Sequence, residues 1–292
     1  AILGVVAVIT LFMHSDRFAW LCAPETHKFH KTGHFCTGKN GQVTPKMQMA
    51  RKTTISGLSV HTQMSSVAGA PVVYLLGDVA DHSSVQAPEG VSLVNIGVDL
   101  WEENFSPWCA PRVFAKGPNF GDGAQKTLDT LINQVIPWAE SELSEPPAYR
   151  ALVGYSLAGL FSLWAGVSPQ VARGCQPGTA TGSTGAPAAP QPVATFQRIG
   201  AVSGSFWFPG LLDYVDQQIN GGMVGLTHAY LSLGDREART SNPQIMHVQE
   251  NSELLASKLE NAGITSTFEL NRGNHFQNVE GRMQKALDWL VK

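Results

Sequence analysis

The chain has 292 residues, 43% hydrophobic and 15% charged, enough for one large α/β domain with a substantial buried core. Twenty basic against twenty-three acidic side chains leave a net charge of −3 with no lysine- or arginine-rich run, which argues against nucleic acid and against a polybasic membrane surface. The four cysteines, Cys22, Cys36, Cys109 and Cys175, form no C-x-x-C pair, so neither a zinc-finger spacing nor a dense disulfide framework is expected.

Residues 1–54 read as an irregular or added segment. Their opening run, AILGVVAVITLFM, is shorter than the roughly 20 residues a bilayer span needs. It also lacks a basic n-region and a small-residue cleavage site, so a buried strand is preferred to a signal peptide. Scattered cysteines favour the cytoplasm, with secretion left open. Cys22, His27, His30, His34 and Cys36 are metal-ligand types, but their spacings match no tetrahedral zinc pattern. Neither a metal nor a cofactor is expected.

From residue 55 to 292 short apolar runs alternate with helical patterns, which predicts stacked β-α units around a mostly parallel sheet with helices on both faces. Residues 72–76 (VVYLL) and 92–98 (SLVNIGV) are strands. The stretch 121–143 is a helix with Leu128, Leu131, Ile132, Val135, Ile136, Ala139 and Leu143 on one face and a kink expected at Pro137. RALVGY (150–155) is a strand, and LAGLFSLWAGV (157–167) is a helix apolar all round, hence buried. A Gly/Ala/Pro/Thr tract at 174–193 cannot build a core and should be a flexible surface insertion. FQRIGAVS and HAYLSLG follow as strands, then a helix near 244–261, the strand ITSTFEL and a last helix over 279–291.

The stretch Gly154-Tyr155-Ser156-Leu157-Ala158-Gly159 carries the chemistry. A serine between a strand and a helix must make a sharp turn that lifts its hydroxyl above the sheet edge. Such a turn needs small residues two positions before and after, which Gly154 and Ala158 supply. Leu157 opens the helix, and its N–H points where an oxyanion would form, aided by the helix dipole. The bare G-x-S-x-A pattern is weak; the strand before it and the buried helix after it raise its value.

A hydroxyl needs a base to become a nucleophile, and histidine is the side chain tuned for that near neutral pH. In hydrolases on such sheets the partners follow as Ser, acid, His. His275 sits in the loop after ITSTFEL, at the sheet edge that also holds Ser156. The acid should follow HAYLSLG, where Glu237 and Asp235 compete. Glu237, three residues past Gly234, holds the position such hydrolases commonly use.

Val-Tyr-Leu-Leu-Gly-Asp, Asn-Phe-Ser-Pro-Trp, Gly-Tyr-Ser-Leu-Ala-Gly-Leu-Phe, Val-Ser-Gly-Ser-Phe-Trp, Leu-Ser-Leu-Gly-Asp-Arg-Glu and Gly-Asn-His-Phe occur in that order. Together they resemble the putative esterase (esterase D-like) family of α/β-hydrolases, near its siderophore-esterase branch, over about residues 55–292. The resemblance implies an α/β-hydrolase fold and hydrolysis of small-molecule carboxylic esters, with Ser156, Glu237 and His275 on the catalytic positions. It further implies that Val79 supplies a second oxyanion-hole N–H beside Leu157. The family usually reads Leu-Asp-Gly where this chain has Leu76-Gly77-Asp78.

Two aromatic segments, Phe105-Ser106-Pro107-Trp108 and Ser203-Gly204-Ser205-Phe206-Trp207, either line a substrate cleft or belong to the core. On the first reading Trp108, Ser205 and Trp207 contact substrate. Acyl transfer to an alcohol or sugar and non-catalytic binding on a decayed hydrolase fold are the competing functions.

Overall fold

The computed structural model describes residues 50–77, 85–169, 195–223 and 225–292. The expected insertion at 174–193, Val79, and the N-terminal cysteine–histidine cluster lie outside the described residues.

The described strands form one eight-stranded sheet in the order β1-β2-β4-β3-β5-β6-β7-β8. Strands β1 (Arg51–Ile55) and β2 (Leu58–Gln63) make an antiparallel hairpin, and β2 joins β4 (Ser92–Gly97) antiparallel. The remaining ladder is parallel throughout: β4, β3 (Val72–Gly77), β5 (Arg150–Tyr155), β6 (Arg198–Val202), β7 (His228–Gly234) and β8 (Thr265–Asn271). The sequence boundary at residue 54 therefore needs correcting, because residues 51–54 are sheet and not irregular chain. Ser56 and Gly57 both take positive φ (49° and 86°), the two-residue turn whose twist matches a hairpin.

Seven α-helical segments surround the sheet among the described residues: α1 (Trp101–Asn104), α2 (Ala124–Thr130), α3 (Ile136–Glu140), α4 (Leu157–Val167), α5 (Leu211–Asn220), α6 (Val248–Asn261) and α7 (Val279–Leu290). Between α2 and α3 the expected single helix widens into a π-turn, Leu131–Val135. Pro137 has no N–H to return to the preceding turn; the wider register puts it in the first turn of α3, where none is required.

Alternation along the central strands sends successive side chains to opposite faces, and each face has its own helix. Val73, Leu75, Val153 and Val202 pack with Met283, Ala286, Leu287 and Leu290 of α7. On the other side α4 lies so close that a Cβ at Gly166 would stand 2.6 Å from Ile199. All eleven residues of α4 are buried, which is why its sequence shows no polar face. Burial on both faces makes β3 and β5 continuous apolar runs.

The sheet and every helix named belong to one compact unit, Pro45–Pro111 with Asn119–Lys292. Arg112–Pro118 belongs to a second, smaller unit, in which the Gly117 N–H reaches the Phe114 carbonyl at 3.0 Å. Among the described residues no helix is long and apolar enough to cross a membrane.

Candidate active site

β5 ends at Tyr155 and α4 begins at Leu157, so Ser156 alone reverses the chain. Its backbone sits at φ 58°, ψ −120°, a conformation costly for a residue with a side chain. The surroundings hold it there. The Ser156 N–H donates to the Val202 carbonyl at 2.9 Å, and its own carbonyl accepts from Leu160 and Ser205, both at 3.1 Å. Gly154 is obligatory for the same bend: a Cβ there would lie 2.2 Å from the Ala158 carbonyl oxygen and 2.9 Å from the Ala158 Cβ. Small residues at 154 and 158 are thus required by close approach. Leu157 is the first residue of α4, where backbone N–H groups have no partner within the helix.

His275 lies between β8 and α7, in a turn closed by the Phe276 N–H on Asn274 Oδ1 (3.0 Å) and the Gln277 N–H on the Asn274 carbonyl (3.2 Å). Its ring is flanked by those of Tyr155 (4.9 Å between centroids) and Phe276 (5.0 Å, edge-on). Nε2 stands 3.0 Å from Ser156 Oγ, and Nδ1 stands 2.6 Å from Glu237 Oε2. With 30% of its side chain exposed, His275 is reachable from solvent.

Glu237 is 5% exposed, and its other oxygen, Oε1, accepts from the Gly234 N–H (2.7 Å), Ser203 Oγ (2.7 Å) and Arg282 Nη1 (3.0 Å). Burial pushes its pKa upward, but the hydrogen bond and charge of His275, the Ser203 hydroxyl and the Gly234 N–H outweigh it and hold the carboxyl down at about 2. A carboxylate that only accepts obliges Nδ1 of His275 to carry the proton, which leaves the Nε2 lone pair facing Ser156. Asp235, the rival acid, makes no bond to His275: its Oδ1 accepts the Gly273 N–H at 2.8 Å and ties the two loops together.

The aromatic segments meet nearby. Trp108 donates its Nε1 hydrogen to the Pro209 carbonyl (2.8 Å) and packs against Phe208 and Tyr214. Trp207 packs against Phe120 and Phe208. Both tryptophans keep part of their surface in solvent, while Phe206 and Phe208 are core. Ser205 is buried, and its N–H braces the Ser156 carbonyl. Val79, the expected second oxyanion donor, lies outside the described residues; β3, which leads to it, runs beside β5 with Leu76 opposite Gly154.

Three residues around this relay were not expected from the sequence: Ser203, Tyr155 and Arg282. Arg282 had a readable signal. It occupies a position on the apolar stripe of α7 (Val279, Arg282, Met283, Ala286, Leu287, Leu290), where a charge needs a reason.

Known proteins resemble the chain over part of its sequence and in its fold. Residues 84–170, which include Ser156, match the family model described as "Putative esterase". A Bacillus subtilis protein, "Uncharacterized protein YbbA", is 23% identical over 218 residues, covering 72% of this chain and 77% of its own length. The siderophore hydrolase EstA from Aspergillus nidulans superposes with a TM-score of 0.62 at 17% identity, over 89% of this chain and 99% of EstA. An IroE-like serine hydrolase from Shewanella oneidensis gives a TM-score of 0.60 at 16% identity, over 83% and 79% of the two chains.

Proposed function

We propose that this chain, an α/β-hydrolase of the putative-esterase family, hydrolyses carboxylic esters through an acyl-enzyme on Ser156, with His275 as general base and Glu237 as the orienting acid. The observation that carries this reading is the continuous relay Oγ···Nε2 at 3.0 Å and Nδ1···Oε2 at 2.6 Å, built at a strained strand–helix bend.

As Ser156 Oγ attacks the ester carbonyl, its proton passes to His275 Nε2. Glu237, still ionised, stabilises the imidazolium that forms. The negative charge developing on the carbonyl oxygen falls at the amino end of α4, where the Leu157 N–H is the donor on hand and Val79 the proposed second. His275 then returns its proton to the departing alcohol. Water, deprotonated by the same imidazole, releases the acid and regenerates Ser156.

Trp108 and Trp207, each partly exposed and packed on the buried rings of Phe208 and Phe120, form the proposed wall for an aryl or bulky acyl group. EstA is named a siderophore hydrolase; siderophore esters are therefore worth including beside simple and aryl esters in a substrate panel.

The deciding experiment is turnover of short-chain p-nitrophenyl esters by wild type and Ser156→Ala. The variant should lose essentially all turnover while melting like wild type. Retained turnover in a folded Ser156→Ala protein would remove the serine from the mechanism.

A further inference from the structure

Arg282 is the largest fully buried side chain among the described residues, with 1% of its side chain exposed. A guanidinium in such a place is costly unless its donors are met, and an aliphatic residue would complete the apolar stripe of α7 more cheaply. The bonds it makes converge on one place. Nη1 donates to Glu237 Oε1 (3.0 Å) and to Ser203 Oγ (2.6 Å), the hydroxyl that itself bonds Oε1. Nη2 donates to the backbone carbonyls of His275 (2.8 Å) and Asn274 (3.4 Å). Those acceptors belong to the loops that follow β6, β7 and β8, two of which carry the acid and the base. The Tyr155 hydroxyl bonds the same His275 carbonyl from β5.

We infer that Arg282 is a positioning residue for the reaction: it clamps the loop bearing His275 to Glu237 and supplies the positive charge that balances the buried carboxylate, so that the base need not. This rests on the serine-relay reading above. Two consequences follow. Without the fork, the imidazole is free to drift from the serine hydroxyl, and turnover falls more than binding does. Without the charge, the buried carboxylate is balanced by protonation of His275, and the acidic limb of the rate profile moves to higher pH.

The groups facing this pair are few. Asp235 is engaged with Gly273 and lies 4.0 Å from Arg236, which is half exposed. Tyr155 stacks on His275 from β5. Glu269 of β8 is paired with Lys285, an exposed cation of α7 that also bonds Asn271. None of these replaces Arg282 at Oε1, since Lys285 and Arg236 are bonded or paired elsewhere.

The test compares wild type, Arg282→Met, Arg282→Lys and Ser156→Ala with p-nitrophenyl acetate across the pH range, with melting temperatures alongside. Arg282→Met should lower kcat about 10- to 100-fold. KM should stay within about twofold, and the acidic limb should rise by about one pH unit. Arg282→Lys keeps the charge but cannot fork between carboxylate and carbonyl, so its limb should stay near wild type while kcat remains reduced. A folded Arg282→Met with wild-type kcat and limb overturns the inference. So does a loss that merely tracks the unfolded fraction, with the limb unmoved. If Arg282→Met does not fold, Arg282→Lys decides: reduced kcat with an unmoved limb supports the clamp, and wild-type kcat refutes it. Activity in Ser156→Ala would instead indict the serine reading itself, independently of any Arg282 result.

Discussion

Two carboxylates follow β7, and the turn decides which one meets the imidazole. The Asp235 N–H pairs with the Asn271 carbonyl (2.7 Å), continuing the β7–β8 ladder, and its side chain goes to Gly273. The Glu237 N–H closes a turn on the Gly234 carbonyl (3.0 Å), which swings its carboxylate back over the strand end and under His275. Glu237→Gln keeps the shape but offers an amide donor to Nδ1, favouring the wrong tautomer. We expect kcat about 10³- to 10⁴-fold lower, measured on the same ester, with little change in fold at neutral pH. The same variant carries a pH signature. Because folding lowers the Glu237 pKa from 4.5 to about 2, the wild-type carboxylate stabilises the native state fully above pH 4.5, and that stabilisation drains away as pH falls toward 2. It amounts to about 3 kcal/mol in full. The drop in melting temperature on acidification should therefore be smaller in Glu237→Gln than in wild type. From sequence, Ser156, His275 and a preference for Glu237 over Asp235 were within reach, because each belongs to a short local pattern. Ser203 and Arg282 were not paired with Glu237, because they lie 34 and 45 residues from it and meet it only when β6, β7 and α7 assemble.

Among the elements, the β5–Ser156–α4 bend is the most tightly constrained. Gly154→Ala would drive a methyl into the Ala158 carbonyl, and relief requires α4 to move off the sheet. That substitution should destabilise by about 1–3 kcal/mol and displace Ser156 from His275, so a lowered melting temperature should accompany lost ester turnover. A variant with wild-type melting and activity would show that the bend tolerates bulk. The parallel strands were legible because burial on both faces leaves unbroken apolar runs, as in VVYLL and RALVGY. The β1–β2 hairpin was harder to see. Its strands carry Lys52 and Thr54 exposed and Thr53 and His61 half-buried, and its turn, Ser56-Gly57, is less distinctive than Asn-Gly. α5 leaves a similarly faint pattern in the sequence: only Leu211 and Val215 of its ten residues are buried. At Pro137 the chain answers the missing donor with a π-turn, a local register choice that periodicity does not encode.

In the assembled fold the parallel sheet brings the carboxyl ends of β5, β6, β7 and β8 to one edge, and Ser156, its bracing loop, Glu237 and His275 each follow one of those strands in chain order. The fold shared with EstA and the Shewanella hydrolase accounts for that edge, and the sequences that build it differ at more than four positions in five. Ester hydrolysis of the proposed kind requires Ser156 to be a nucleophile made reactive by His275. Incubation with a fluorophosphonate, followed by intact-mass and peptide mapping, tests this without assuming any substrate. A single covalent adduct on Ser156 is expected in wild type, none in Ser156→Ala and much slower labelling in His275→Ala. An unlabelled wild-type protein, or an adduct on another residue that persists in Ser156→Ala, would contradict it.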